Sequence, residues 1–122
     1  MATILIVDDE YVIADILGYA LEDEGYTVVK AGNGRKGLEI LERDRPTLVI
    51  TDFMMPLMDG LEFARAIRER PAFEQTPIVL MSGAQANLGR DNPHIFAAVF
   101  DKPFDIDKVI AKVSELLGEE TH

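Results

Sequence analysis

The sequence predicts an α/β fold: an open (βα)5 sandwich, with helices doubly wound about a five-stranded parallel sheet. Short apolar runs rich in β-branched residues recur along the chain, and between them lie stretches whose apolar residues repeat at helical spacing. Strands that alternate with helices of this length form βαβ units. Their right-handed crossovers place helices on both faces of the sheet.

TILIV at 3–7, TLVIT at 47–51 and PIVLM at 77–81 are continuous apolar runs, the pattern of strands buried on both faces. TVVKA at 27–31 and AAVF at 97–100 are weaker and complete the five. The first helix is expected over Glu10 to Glu24, where Val12, Ile13, Ile16, Leu17, Ala20 and Leu21 make one apolar face before Gly25 stops the pattern. Similar faces occur over Arg35 to Arg43 (Leu38, Ile40, Leu41), Gly60 to Arg70 (Leu61, Phe63, Ala64, Ile67) and Ile106 to Leu117 (Val109, Ile110, Val113, Leu116). From Ala84 to Phe96 the pattern is weakest, because Gly89, Asn92 and Pro93 interrupt any helix begun at Gln85.

One domain over 1–122 is expected, with its core over 2–118 and a short polar tail from Gly118 to His122; a chain of 122 residues, 48% hydrophobic, can bury one substantial core. No Gly/Ser-rich or Pro-rich linker and no repeat divides it. A formal net charge of −10 argues against direct nucleic-acid binding, which needs clustered Lys and Arg. The absence of cysteine removes disulfides, thiol catalysis and cysteine-based metal sites. The apolar run Ile4 to Val7 is too short for an export signal or a membrane span and ends in Asp8, Asp9 and Glu10. A cytoplasmic location, away from membranes, is the expectation.

In an open parallel sheet, ligands bind outside the carboxyl ends of the strands. There the sequence places Asp8 and Asp9 after the first strand, Asp52 after the third, Ser82 after the fourth and Lys102 after the fifth. If the first and third strands are neighbours, three carboxylates converge. Two such charges about 4 Å apart repel by about 4 kcal/mol at an effective dielectric of about 20. A divalent cation would neutralise them, and an all-oxygen site suits Mg²⁺, or alternatively Mn²⁺, better than zinc. The plainer alternative is that Asp8 or Asp9 caps the first helix. Capping would use one of the pair and leave Asp52 unexplained.

Lys102 could be a solvated lysine, but at the same sheet edge its ammonium would hold a phosphoryl oxygen as a point charge. Ser82 offers a hydroxyl donor, although Ser-Gly after a strand is commonly a turn. His94 and His122 are the only histidines and are expected at the surface. A carboxylate nucleophile needs no histidine base, being already ionised at neutral pH.

ILIVDDE at 4–10, TDFMMPLMDG at 51–60, LMSG at 80–83 and DKPF at 101–104 resemble the response-regulator receiver domain in order, spacing and strand-end placement, over nearly the whole chain. The resemblance is to a stand-alone, chemotaxis-regulator-like receiver of two-component signal transduction. It implies a flavodoxin-like sheet of strand order 2-1-3-4-5. It implies Asp52 as phosphoacceptor, with Asp9, Asp52 and the backbone carbonyl of Met54 as direct Mg²⁺ ligands and Asp8 assisting through water. Lys102 would bind the phosphoryl group, Ser82 would move to contact it, and the Lys102–Pro103 bond would be cis.

The implied partners are a histidine kinase or histidine phosphotransfer protein as donor and a downstream protein as target. The chain would be monomeric or dimerise on phosphorylation. It would be a switch rather than an enzyme, although it would catalyse its own phosphorylation and dephosphorylation. By the same resemblance Asp59 caps the third helix, Gly60 relieves backbone strain there, and Met54 and Ala84 line the approach to the site. Met54, Met55, Leu57 and Met58 are expected to serve core and loop packing.

Two departures stand out. Val99 occupies the place of the family's frequent Tyr or Phe three residues before the Lys, with Phe100 beside it. The Gly89 to Pro93 interruption falls in the helix that normally precedes the last strand and forms part of the signalling face.

Three rival readings are weaker. Gly32, Gly34 and Gly37 spell a dinucleotide-binding G-x-G-x-x-G, but after the second strand and in a chain too short for both nucleotide halves. An aspartate-nucleophile phosphatase would need a cap or substrate pocket that no segment supplies. A degenerate receiver serving only to bind protein would have no need of the intact set Asp8, Asp9, Asp52, Ser82 and Lys102.

Overall fold

In the computed structural model, which describes residues 2–83, 87 and 90–118, five strands make one parallel sheet. They are β1 (Thr3–Val7), β2 (Thr27–Ala31), β3 (Leu48–Asp52), β4 (Ile78–Ser82) and β5 (Ala98–Asp101), in the order β2-β1-β3-β4-β5. The expected order holds, and β1 and β3 are neighbours, with Val7 paired to Thr51. β3, β4 and β5 each run one residue later than the apolar stretches that announced them. Hydrogen bonding, which composition does not register, sets these bounds. Asp52 pairs with Met81 and Ser82 with Asp101, and the ladder continues as Phe53 N–H donates to the Met81 carbonyl (3.0 Å) and Lys102 N–H to that of Ser82 (2.8 Å). Asp52 and Ser82 are therefore the last residues of their strands, with backbones held by the sheet.

The helices are α1 (Tyr11–Asp23), α2 (Gly34–Asp44), α3 (Gly60–Arg68) and α4 (Ile106–Leu116), with a 3-10 turn at Pro71–Phe73. Strand alternation sends Leu5, Val7, Val49 and Leu80 to the face packed with Leu41 of α2 and Phe63 and Ile67 of α3. Ile4, Ile6, Ile50 and Val79 go to the face packed with Leu17 and Leu21 of α1 and Val109 and Val113 of α4. Each fully buried Leu, Ile or Val contributes roughly 1.5–3 kcal/mol relative to exposure, so both layers hold the sheet.

Side chains fix where the helices begin. Asn33 accepts from Lys36 N–H (2.9 Å), Asp105 from Asp107 N–H (2.9 Å), and Asp59 forms a reciprocal capping box with Glu62. α1 ends before Gly25, whose φ of +97° suits a residue without Cβ. Two glycines of the G-x-G-x-x-G run, Gly34 and Gly37, are required by close packing. A Cβ on Gly34 would lie 2.7 Å from Met58 Sδ, and one on Gly37 would lie 2.8 Å from the Phe63 ring.

Two polar links tie distant segments, the first of them buried. Tyr26 Oη and Ser114 Oγ are 2.9 Å apart, joining the start of β2 to α4. Arg68 donates from the end of α3 to the carbonyls of Phe73 (3.0 Å) and Ile95 (2.8 Å), anchoring the chain ahead of β5. Gly89, the core of the expected interruption, lies outside the described residues, as do Ala84, Gln85 and His122. Nearby, Asn87 and Arg90 have helical backbone, and Asp91 N–H donates to the Asn87 carbonyl (2.8 Å).

Candidate functional site

The carboxyl ends of β1, β3, β4 and β5 bring Asp8, Asp52, Ser82 and Lys102 to one edge of the sheet. Asp8, just past β1, is 1% exposed and is held twice: its N–H donates to the Ala31 carbonyl (3.1 Å), and its Oδ1 accepts from Glu10 N–H (2.9 Å). Asp52 and Ser82 are buried. Lys102 Nζ lies 2.8 Å from Asp52 Oδ1 and 3.4 Å from Glu10 Oε1. The Lys102–Pro103 peptide bond is cis, as the resemblance implied.

Three carboxylates thus face one ammonium, because oxygens of Asp8, Glu10 and Asp52 lie within 4.8 Å of one another. Asp9 is exposed and is not among those three, although its charge reaches Asp52. Glu10 was overlooked in the sequence, where it reads as the opening of a helix; the signal was the third acid of DDE directly after a buried strand. It is the N-cap of α1, yet its side chain caps nothing, and neither Asp8 nor Asp9 caps that helix. The capping alternative for the aspartates therefore fails.

Burial pushes the Asp8 carboxyl up from an ordinary 3.8 to about 6, with the Asp52 charge adding to the rise and the Glu10 N–H and Lys102 opposing it. Burial also raises Asp52, against the pull of its bond to Lys102. Lys102 shows the converse. Burial alone would lower it, but the bond to Asp52 and the surrounding carboxylates outweigh burial and leave it raised. Among the described residues, Asp8 Oδ2 and Ser82 Oγ are buried without a hydrogen-bond partner. Such groups are uncommon in folded proteins. Here they leave lone pairs on a crowded carboxylate and a hydroxyl at the same edge. The donor set, all oxygen and net negative, fits a hard divalent cation such as Mg²⁺.

The loop from β3 to α3 shapes the rim. Gly60 N–H donates to the Phe53 carbonyl (2.8 Å), and a Cβ there would lie 2.5 Å from the Asp52 carbonyl oxygen and 2.9 Å from Phe53 Cα. Close approach therefore explains this glycine, in place of the backbone strain expected for it. The positive φ in this loop belongs to Leu57 (70°). Met55 is buried and Met58 packs on the core, whereas Met54 is 60% and Leu57 100% exposed. Packing holds for two of the four loop residues, and the turn sends the other two outward. Val99 packs with the α2 and α3 layer and Phe100 with the α1 and α4 layer, so Phe100 does not stand in for the family's aromatic. His94 is exposed. No helix among the described residues is long and apolar enough to cross a membrane.

A family model described as the response regulator receiver domain matches residues 4–114. Sporulation initiation phosphotransferase F of Bacillus subtilis is 34% identical over 116 residues, covering 93% of this chain and 92% of its own. Response regulator MprA of Mycolicibacterium vanbaalenii is 33% identical over 121 residues; the match takes in 97% of this chain and 51% of that protein. Among solved structures, the chemotaxis response regulator CheY4 of Vibrio cholerae superposes with a TM-score of 0.85 at 28% identity, covering 95% of this chain and 98% of that one.

Proposed function

The chain belongs to the response-regulator receiver family, and from that premise we propose that Asp52 is the residue that accepts the phosphoryl group, with Lys102 and Ser82 binding it. Receiver domains are phosphoaccepting switches of two-component and phosphorelay signalling. They bind Mg²⁺ at an acidic pocket and interact with histidine kinases or phosphotransfer proteins and with downstream targets. The observation that carries the assignment is the 2.8 Å contact between Lys102 Nζ and Asp52 Oδ1, at a sheet edge where Asp8 Oδ2 and Ser82 Oγ have no hydrogen-bond partner.

In this reading Asp8, Asp9, Asp52 and the Met54 carbonyl would hold Mg²⁺. Bound there, the ion supplies positive charge against the transferring phosphoryl group. Asp52, its carboxylate paired with the Lys102 ammonium, attacks phosphorus in line with the leaving imidazole of a donor phosphohistidine. Lys102 sits where it can take a phosphoryl oxygen as the bond to Asp52 forms. Ser82 Oγ donates to another oxygen, and these new bonds favour one of two pre-existing conformations of the domain. The chain thereby catalyses its own phosphorylation and dephosphorylation, and its work is that of a cytoplasmic switch.

Intact-mass spectrometry after incubation with acetyl phosphate and Mg²⁺ tests the assignment. One phosphoryl adduct is expected on the wild-type chain, none with EDTA and none on Asp52→Asn. Near-full uptake by Asp52→Asn would overturn it.

A further inference from the structure

Glu10 is placed to act on the same site through Lys102. Its backbone is pinned, because its N–H donates to Asp8 Oδ1 (2.9 Å). Its side chain leaves the α1 N-terminus uncapped and turns to Lys102, with Oε1 3.4 Å from Nζ. Side-chain exposure falls from 59% at Glu10 to 22% at Lys102 and 4% at Asp52, so the three form a file from solvent to the sheet edge. Lys102 is held between an outer and an inner carboxylate.

We propose that Glu10 is a positioning residue for phosphoryl uptake: as a fixed negative charge at the mouth, it holds the Lys102 ammonium toward solvent and competes with the incoming phosphoryl group for that ammonium. This rests on Asp52 being the phosphoacceptor. With acetyl phosphate, an Asp52 carboxylate oxygen forms the new O–P bond while the donor's acyl O–P bond breaks. Acetate leaves with the electron pair, and no proton is required. As the phosphoryl oxygens arrive, Lys102 exchanges Glu10 for one of them.

A unit charge some 5 Å from a dianion at an exposed site, partly screened by salt, should slow uptake of a small anionic donor about three- to tenfold. Wild type and Glu10→Gln are compared at saturating Mg²⁺ by initial rates of adduct formation at low and high salt, with thermal melts to verify that both are folded. Glu10→Gln is expected to be phosphorylated about three- to tenfold faster at low salt, with the difference shrinking at high salt. A role in folding alone would not produce that salt dependence. In EDTA, acylation of Lys102 by an amine-reactive label, read by peptide mass spectrometry, should rise at least about twofold, since the ammonium has lost an anionic neighbour. Equal rates, salt dependence and labelling in two folded proteins would overturn the role of Glu10. No uptake by the wild-type chain would instead bring down the Asp52 assignment and this inference with it.

Discussion

Replacing Asp8 with Asn removes one of the crowded carboxylates while keeping its size and the oxygen that accepts the Glu10 N–H. The Asp8 carboxyl is raised on folding from 3.8 to about 6. A raised acid favours the folded state while protonated, so its contribution is complete below about pH 3.8 and is lost as pH rises through about 6. Each pKa unit corresponds to about 1.36 kcal/mol, which puts the cost of the ionised Asp8 at pH 7.5 at no more than about 3 kcal/mol. Lys102 and Glu10 are partly solvated, so a gain of about 1–3 kcal/mol is expected for Asp8→Asn in EDTA at pH 7.5. For a domain of this size that is a rise in Tm of roughly 3–10 °C.

The assay is thermal and urea unfolding of both proteins in EDTA from pH 4 to 8. The difference between them isolates the site, because titrating groups remote from Asp8 cancel in it. That difference should open as pH rises through about 6 and close under acid conditions. Saturating Mg²⁺ should stabilise the wild-type chain more than the variant, since the ion binds the folded state through the carboxylates. A variant no more stable than wild type at pH 7.5, or a difference that grows toward acid pH, would refute the account of the buried charge.

Lys102→Ala should cut phosphoryl uptake at least about tenfold at saturating Mg²⁺ while Mg²⁺-dependent stabilisation persists, read by intact mass and melting. Lys102→Arg should not restore the rate, because a planar fork does not replace a point charge. Gly60→Ala should destabilise by about 1–3 kcal/mol in urea unfolding, because its Cβ would press on the Asp52 carbonyl, 2.5 Å away. Leu57→Asn should raise stability by up to about 1 kcal/mol, since Asn tolerates the left-handed conformation better and Leu57 is wholly exposed. A loss of stability there would mean that Leu57 makes contacts the structure does not contain.

Much of this was legible in the residues. Continuous apolar runs mark strands buried on both faces, and TILIV and TVVKA match β1 and β2 to the residue. β3 and β4 end in Asp52 and Ser82, which hydropathy assigns to loops and only the ladder assigns to strands. At the site, strand-end position brought out Asp8, Asp52, Ser82 and Lys102 because the sheet alone dictates where they converge. Glu10 escaped because its approach to Lys102 depends on the direction its side chain takes from the α1 N-cap, which hydropathy does not register. Met54 and Leu57 escaped for a similar reason: the direction a loop residue takes depends on the turn, and the φ of Leu57 is not written in its hydrophobicity.

The hydrogen bond between Tyr26 and Ser114 spans 88 positions. It ties α4 to the residue that precedes β2, in the same layer where Val109 and Val113 meet Leu17 and Leu21. A chain that has made β1, α1 and β2 still has one flank of that layer open to water, and α4 closes it. Such long-range closure carries a loop-entropy cost before its contacts are made. The first βαβ unit is thus an unfinished surface until α4 docks on it.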